Sequence, residues 1–191
     1  MFTAAKAGQM AAFFAGKVDA SISILKLVKL MYLADRESMR RYGRPISYDA
    51  MVSMPHGPVL SQTLNLINGL TGGAEGEAWN YWISGRGNRD KHFVGLRRNF
   101  ERKDLDRLSN ADLEVLTAIR AKFGDMDQWQ LRDFTHDHCS EWRDPENSTK
   151  QSIPINEIDV FRAVGIEEKE AAQLARELEV EKSLDMAFAR S

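Results

Sequence analysis

The stretch Ser23–Tyr42, SILKLVKLMYLADRESMRRY, decides the fold. Ile24, Leu27, Val28, Met31 and Ala34 fall on one face at helical spacing, and Leu25, Leu30, Tyr32 and Leu33 make much of the remaining surface apolar. A helix that is hydrophobic over so much of its circumference belongs at the centre of a domain. Lys26, Lys29, Arg36 and Arg40 remain as a polar stripe expected to reach solvent. Gly43 offers a left-handed cap and Pro45 a ring that cannot continue the helix, so the element ends there.

Working outward, Lys6–Gly16 predicts a short helix carrying Met10, Phe13 and Phe14. Arg44 to Pro58, punctuated by Pro45, Pro55, Gly57 and Pro58, reads as an ordered connection with an extended piece at Met51–Met54. Pro58 fits the first position of a helix running to about Leu70 that buries Leu60, Leu64 and Ile67. A hairpin is expected from Trp79–Ile83 and His92–Leu96, joined by a turn over Ser84–Asp90. Ser109 fits as N-cap of a helix ending at Gly124, and a second follows over Asp127–His138. Beyond the polar linker Glu146–Ser152, helices are expected at Asn156–Val164 and Glu167–Ser183, with a loose tail from Asp185. The fold class is mainly α (α+β): a compact helical domain with one small β-hairpin. The expected division is a domain over 1–145 and an acidic C-terminal helical extension over 146–191.

Composition bounds the function. The 191 residues are 43% hydrophobic and 28% charged, enough apolar mass for a real core. No stretch approaches the ~20 apolar residues of a membrane helix, and no secretory signal is visible, so a soluble cytoplasmic protein is expected. Cys139, the one cysteine, cannot form an internal disulfide. Residues 1–110 carry 16 Lys/Arg against 10 Asp/Glu and residues 111–191 carry 10 against 18, so the two parts stand at +6 and −8 around a net charge of −2. Such opposition lets the halves of a domain attract each other or gives a partner two faces of different sign, and it argues only weakly for nucleic acid.

Chemistry-bearing clusters are sparse. Asp133, His136, Asp137, His138, Cys139 and Glu141 contain metal-ligand types, but His136 and His138 point roughly 200° apart on a helix and cannot grip one ion together. Cys139 has mostly negative neighbours, which suppress a thiolate. No phosphate-binding loop, dinucleotide turn or nucleophile elbow is present. No catalytic, cofactor or metal residue is therefore assigned. Arg86–Arg107 concentrates eight Lys/Arg with Phe93 and Phe100, but Asp90, Glu101, Asp104 and Asp106 interrupt it, and Asp125, Asp127 and Asp133 would meet phosphates with the wrong sign. A DNA-binding regulator of its own operon is the alternative reading that these residues weaken but leave standing. Trp79 and Trp82, three apart in the expected strand, would face opposite sides, which makes one of them a candidate exposed anchor for a partner. Trp129 and Trp142 read as core or half-buried.

The block Lys26–Arg36, then Tyr42-Gly43-Arg44-Pro45-Ile46, then Met54-Pro55-His56-Gly57-Pro58-Val59, resembles the signature of the Panacea domain family of SocA-like antitoxins, also called phage-associated proteins. The likeness is strong over Leu25–Ile67 and looser through Leu105–Trp142. It implies an antitoxin of a toxin–antitoxin system that binds a cognate, SocB-like toxin by protein–protein contact. It also implies a SocA-like proteolytic adaptor that delivers the toxin to the ClpXP protease, and no cofactor. Most signature residues read as structural, with Asp35 anchoring the following loop. Arg36 and Arg40, on the polar side of the helix, and His56, held in a Pro-His-Gly-Pro loop, are the candidate partner contacts, beside Trp79 and Trp82. Oligomeric state, including pairing through the last helix, stays open.

Overall fold

The computed structural model describes residues 1–16, 21–85, 91–145 and 151–188. In chain order these form α1 (Ala4–Ala15), β1 (Ser21–Ser23), α2 (Ile24–Tyr42), β2 (Met51–Met54), β3 (Gly57–Leu60), α3 (Ser61–Ile67), α4 (Gly73–Asn80) and β4 (Phe93–Gly95). A 3-10 turn at Arg102–Asp104 follows, then α5 (Asn110–Phe123), α6 (Gln128–His138), β5 (Ile153–Pro154), α7 (Glu157–Ala163) and α8 (Glu168–Phe188). The protein is mainly helical with a small β part, as expected.

Helix α2 is the hub: α1, α5, α6 and α7 all pack on it. Ser23 caps its start, and its end is set by Gly43, at φ 68°, whose N–H bonds Met39 O at 3.0 Å. Leu27, Leu30, Met31, Tyr32 and Ala34 are buried along its length. Each full burial of a large aliphatic side chain contributes roughly 1.5–3 kcal/mol, which makes this helix the main source of core stabilisation. Two buried carboxylates then set the course of the chain. Asp35 accepts the N–H groups of Ile46 (3.0 Å) and Ser47 (2.9 Å) together with the Ser47 hydroxyl. Asp49 accepts the N–H groups of Gln62 (2.9 Å) and Thr63 (2.7 Å), fixing the first turn of α3. The loop anchor expected at Asp35 thus works through backbone donors.

The sheet order is β3-β2-β5, all antiparallel, and β1 pairs separately with β4. Several expectations need correction here. The hairpin lies at Met51–Leu60, closed by Pro55 and His56, and not at Trp79–Leu96. Pro58 sits inside β3, an edge position where its missing N–H is tolerated, so α3 starts only at Ser61. Trp79 belongs to helix α4; the described residues join the two stretches through an Ile83–Leu96 bridge and the Ser84 N–H donating to Gly95 O at 2.8 Å, while Phe93–Gly95 forms its strand pairing with Ser21–Ser23. Of the expected turn, residues 86–90 lie outside the described residues, as do 146–150 of the polar linker and 189–191 of the tail. Before that point the helix continues to Phe188 past the expected stop at Ser183, and Asp185 pairs with the Met1 amine at 2.6 Å.

The C-terminal elements return to the centre. Ile153 and Pro154 pair with Ser53 and Val52, α7 packs on α2 and α8, and Leu174 of α8 lies where a Cβ at Gly43 would stand, only 2.8 Å away.

Candidate interaction groove

The signature residues cluster at two places along α2. Toward its C-terminal half lies a buried polar centre. Glu141 Oε1 accepts both the Tyr32 hydroxyl (2.6 Å) and Arg36 Nε (2.7 Å). Arg36 also donates to the carbonyls of His138 and Ala163, each at 3.2 Å, so one guanidinium ties α2 to α6 and α7. Two of the expected solvent-facing cations are therefore not in solvent. Arg36 is largely enclosed, and Lys29 is fully buried with Nζ donating to Pro58 O at 2.8 Å. Burial pulls the Lys29 amine down to about 7.

Gly57 explains how a lysine fits there. At φ 93° it turns the chain after His56, and a Cβ on it would stand 2.7 Å from Lys29 Nζ and 2.8 Å from Thr135 Oγ1. The His136 ring stacks on Trp142 at 4.1 Å, and Trp142 Nε1 donates to Met54 O at 3.0 Å. Cys139 is buried beside this centre; burial, reinforced by Glu141, pushes its thiol up to about 12, where little thiolate forms. Among the described residues, no group of three His, Cys, Asp or Glu could hold a metal ion.

At the N-terminal end of α2 the surface opens into an apolar groove of about 720 Å³. Leu25 and Val28 of α2, Val59 of β3, Leu64 of α3 and Phe93 of β4 wall it, and Met54, Pro55 and His56 of the β2–β3 turn form its lip. Trp129, in the first turn of α6, stands 49% exposed at its side, with the Arg132 guanidinium 5.0 Å from its ring centre. A second depression of about 610 Å³ adjoins it, the two sharing Ser23, Phe93, Gln128 and Trp129. The Ser23 hydroxyl donates to Gln128 Oε1 along this shared wall. A concave, mostly apolar surface with one rigid aromatic at its edge is the kind of site that takes an apolar segment of a partner.

Of the candidate contacts, the structure brings only His56 to the groove, exposed on the tip of the hairpin. Arg36 is spent on the buried centre. Arg40 is exposed further along α2 and pairs with Glu37, which also takes Arg41. Trp79 and Trp82 are both buried, which corrects the expectation that one of them is exposed: Trp79 is on a helix, and Trp82 packs so closely on α1 that a Cβ at Gly8 would meet it at 3.0 Å. Trp129 is the exposed tryptophan that the sequence did not single out. Its signal was present in the sequence, since a large aromatic in the first turn after the Asp127 cap need not face the core.

A family model described as "Antitoxin SocA-like, Panacea domain" matches residues 27–143. No curated protein and no solved structure matches the chain.

Proposed function

With more than half of its length matched, the chain belongs to the family of SocA-like antitoxins with a Panacea domain, and from that premise we propose that it neutralises a cognate toxin by direct protein–protein contact. A role in toxin–antitoxin regulation follows from the family, which suggests a regulatory and non-catalytic protein. The observation that carries the finer reading is the apolar groove with the half-exposed Trp129 and the His56 lip. It offers an aromatic anchor beside a pocket that a toxin segment can fill, the arrangement in which a few desolvated residues supply most of the binding energy.

In this reading the toxin is SocB-like, binds in the cytoplasm, and is handed to ClpXP, the protein serving as a proteolytic adaptor. Helix α8 packs at the opposite end of α2 from the groove, through Leu174 against Gly43 and Glu181 against Tyr48. That separation supports a division of labour between a toxin-binding surface and a protease-facing one. No helix among the described residues is long and apolar enough to cross a membrane.

The test is co-expression with the product of the adjacent gene, pull-down, and a chase of that product's lifetime with and without functional ClpXP. Binding with loss of the partner only when both this protein and the protease are present supports the adaptor. Binding with unchanged lifetime leaves neutralisation by occlusion. Absence of binding, together with salt-dependent binding to operon DNA, replaces this reading with the regulator.

A further inference from the structure

The groove has a second complementary surface within the same chain. Helix α8 presents Val180 (58% exposed), Leu184 (54%) and Phe188 (77%) at i, i+4 and i+8, one stripe on the side away from its buried Ala171 and Leu178. The helix carries six carboxylates against three bases, with Glu177 and Glu179 flanking the stripe. Among the described residues no Asp or Glu lines the groove, and the exposed Lys91 lines it together with His56, which suits an acidic helix. An amphipathic helix with anchors at i, i+4 and i+8 is the element that enters an apolar groove.

The two surfaces cannot meet within one molecule. Helix α8 rests against the Gly43 and Tyr48 end of α2, the groove lies at the Ser23–Val28 end, and a 19-residue helix spans about 28 Å. We propose that α8 of one copy docks its Val180–Leu184–Phe188 stripe in the apolar groove of a second copy, a heterologous self-association held by apolar contact and by opposite charge. Three side chains make a small interface, so the association is weak and transient, and salt lowers it. Because the contact joins two different patches, reciprocal exchange closes a dimer, and one-way docking leaves a free groove and a free stripe at the ends.

The experiment uses the full chain alone, so its failure leaves the toxin reading untouched. Sedimentation velocity is run from about 1 µM to about 500 µM, a range that brackets weak association. Leu184→Asp disables the stripe and Trp129→Glu the groove; both side chains are exposed, and thermal melts confirm that the variants fold. The expected result is an average mass that rises with concentration for the parent protein and falls back in 0.5 M salt. Each variant alone stays monomeric, and an equal mixture of the two associates again, because it pairs one intact stripe with one intact groove. A parent that is monomeric throughout overturns the proposal. So does Trp129→Glu associating as well as the parent while Leu184→Asp does not, the signature of stripe-on-stripe pairing.

Discussion

At its N-terminal end α2 borders an open apolar groove walled by Leu25, Val28 and Val59, whereas along its C-terminal half the same helix is closed over by Glu141, which ties Tyr32 and Arg36 to the elements above them. The first region leaves apolar surface in water, and the second takes charge out of water. Both are costly states for a folded protein, but the second is compensated inside the molecule by hydrogen bonds and the first is not. The lesson is that charged signature residues on α2 serve assembly of the fold, while the surface left open at its other end is mainly apolar and aromatic.

The largest effect expected from breaking this contrast is at the buried centre. Glu141→Ala leaves the Arg36 guanidinium and the Tyr32 hydroxyl without their shared acceptor and should destabilise by about 3–5 kcal/mol, read as a lower denaturation midpoint in urea. Trp129→Ala should do the reverse: melting unchanged, with affinity for the cognate toxin in calorimetry reduced about 30-fold, or roughly 2 kcal/mol. A stability loss on Trp129→Ala with unchanged affinity would erase the contrast.

Next in size is Lys29→Met, which keeps the volume and removes a buried amine. The folded pKa, about 7, lies below the ordinary value of 10.5, so between these limits the unfolded chain holds the extra proton and the Lys29 contribution to stability rises with pH. Below pH 7 the amine is charged in both states and its burial cost is felt in full. Lys29→Met should therefore stabilise at pH 6 by about 2 kcal/mol, after allowing for the hydrogen bond lost at Pro58 O, and the gain should shrink by pH 9. Cys139 and Tyr32, whose pKa values are raised by burial, act in the opposite sense only above about pH 9, whereas Asp35, raised by burial to about 7, lowers stability as pH rises toward 7, so the Lys29 effect is read as the difference between the parent and Lys29→Met. Stability measured by urea titration across pH 6–9 checks the slope. The smallest effect is expected at Arg40→Ala, where an exposed pair with Glu37 is lost and Arg41 remains, a change under about 0.5 kcal/mol in the same titration.

How far the sequence could be read follows from where the deciding contacts lie. The bounds of α2 were legible because Ser23 and Gly43 act on their own helix, and the cap at Ser109 likewise. His56 at an exposed turn could be read from its Pro-His-Gly-Pro setting. Lys29 could not: it lies on the polar side by periodicity, and the carbonyl and the glycine that receive its amine arrive from a strand 29 residues away in sequence. The Trp79–Ile83 stretch has the aromatic content of a strand, but packing against α1 holds Trp79 in a helix. The pairing of Ser21–Ser23 with Phe93–Gly95 had no turn signal to announce it, since no local connection joins the two strands.

The reach of Arg36 across the chain has a consequence for synthesis. Its partners at Glu141 and Ala163 follow it by 105 and 127 residues, so Arg36 emerges from the ribosome long before these two can close over it. At about 5–20 residues per second that interval is on the order of 5–25 s, during which the buried centre around Tyr32 and Arg36 stays open on the nascent chain. An antitoxin made this way closes its buried centre only after Ala163 has been translated, which favours a supply made ahead of need over one made on demand.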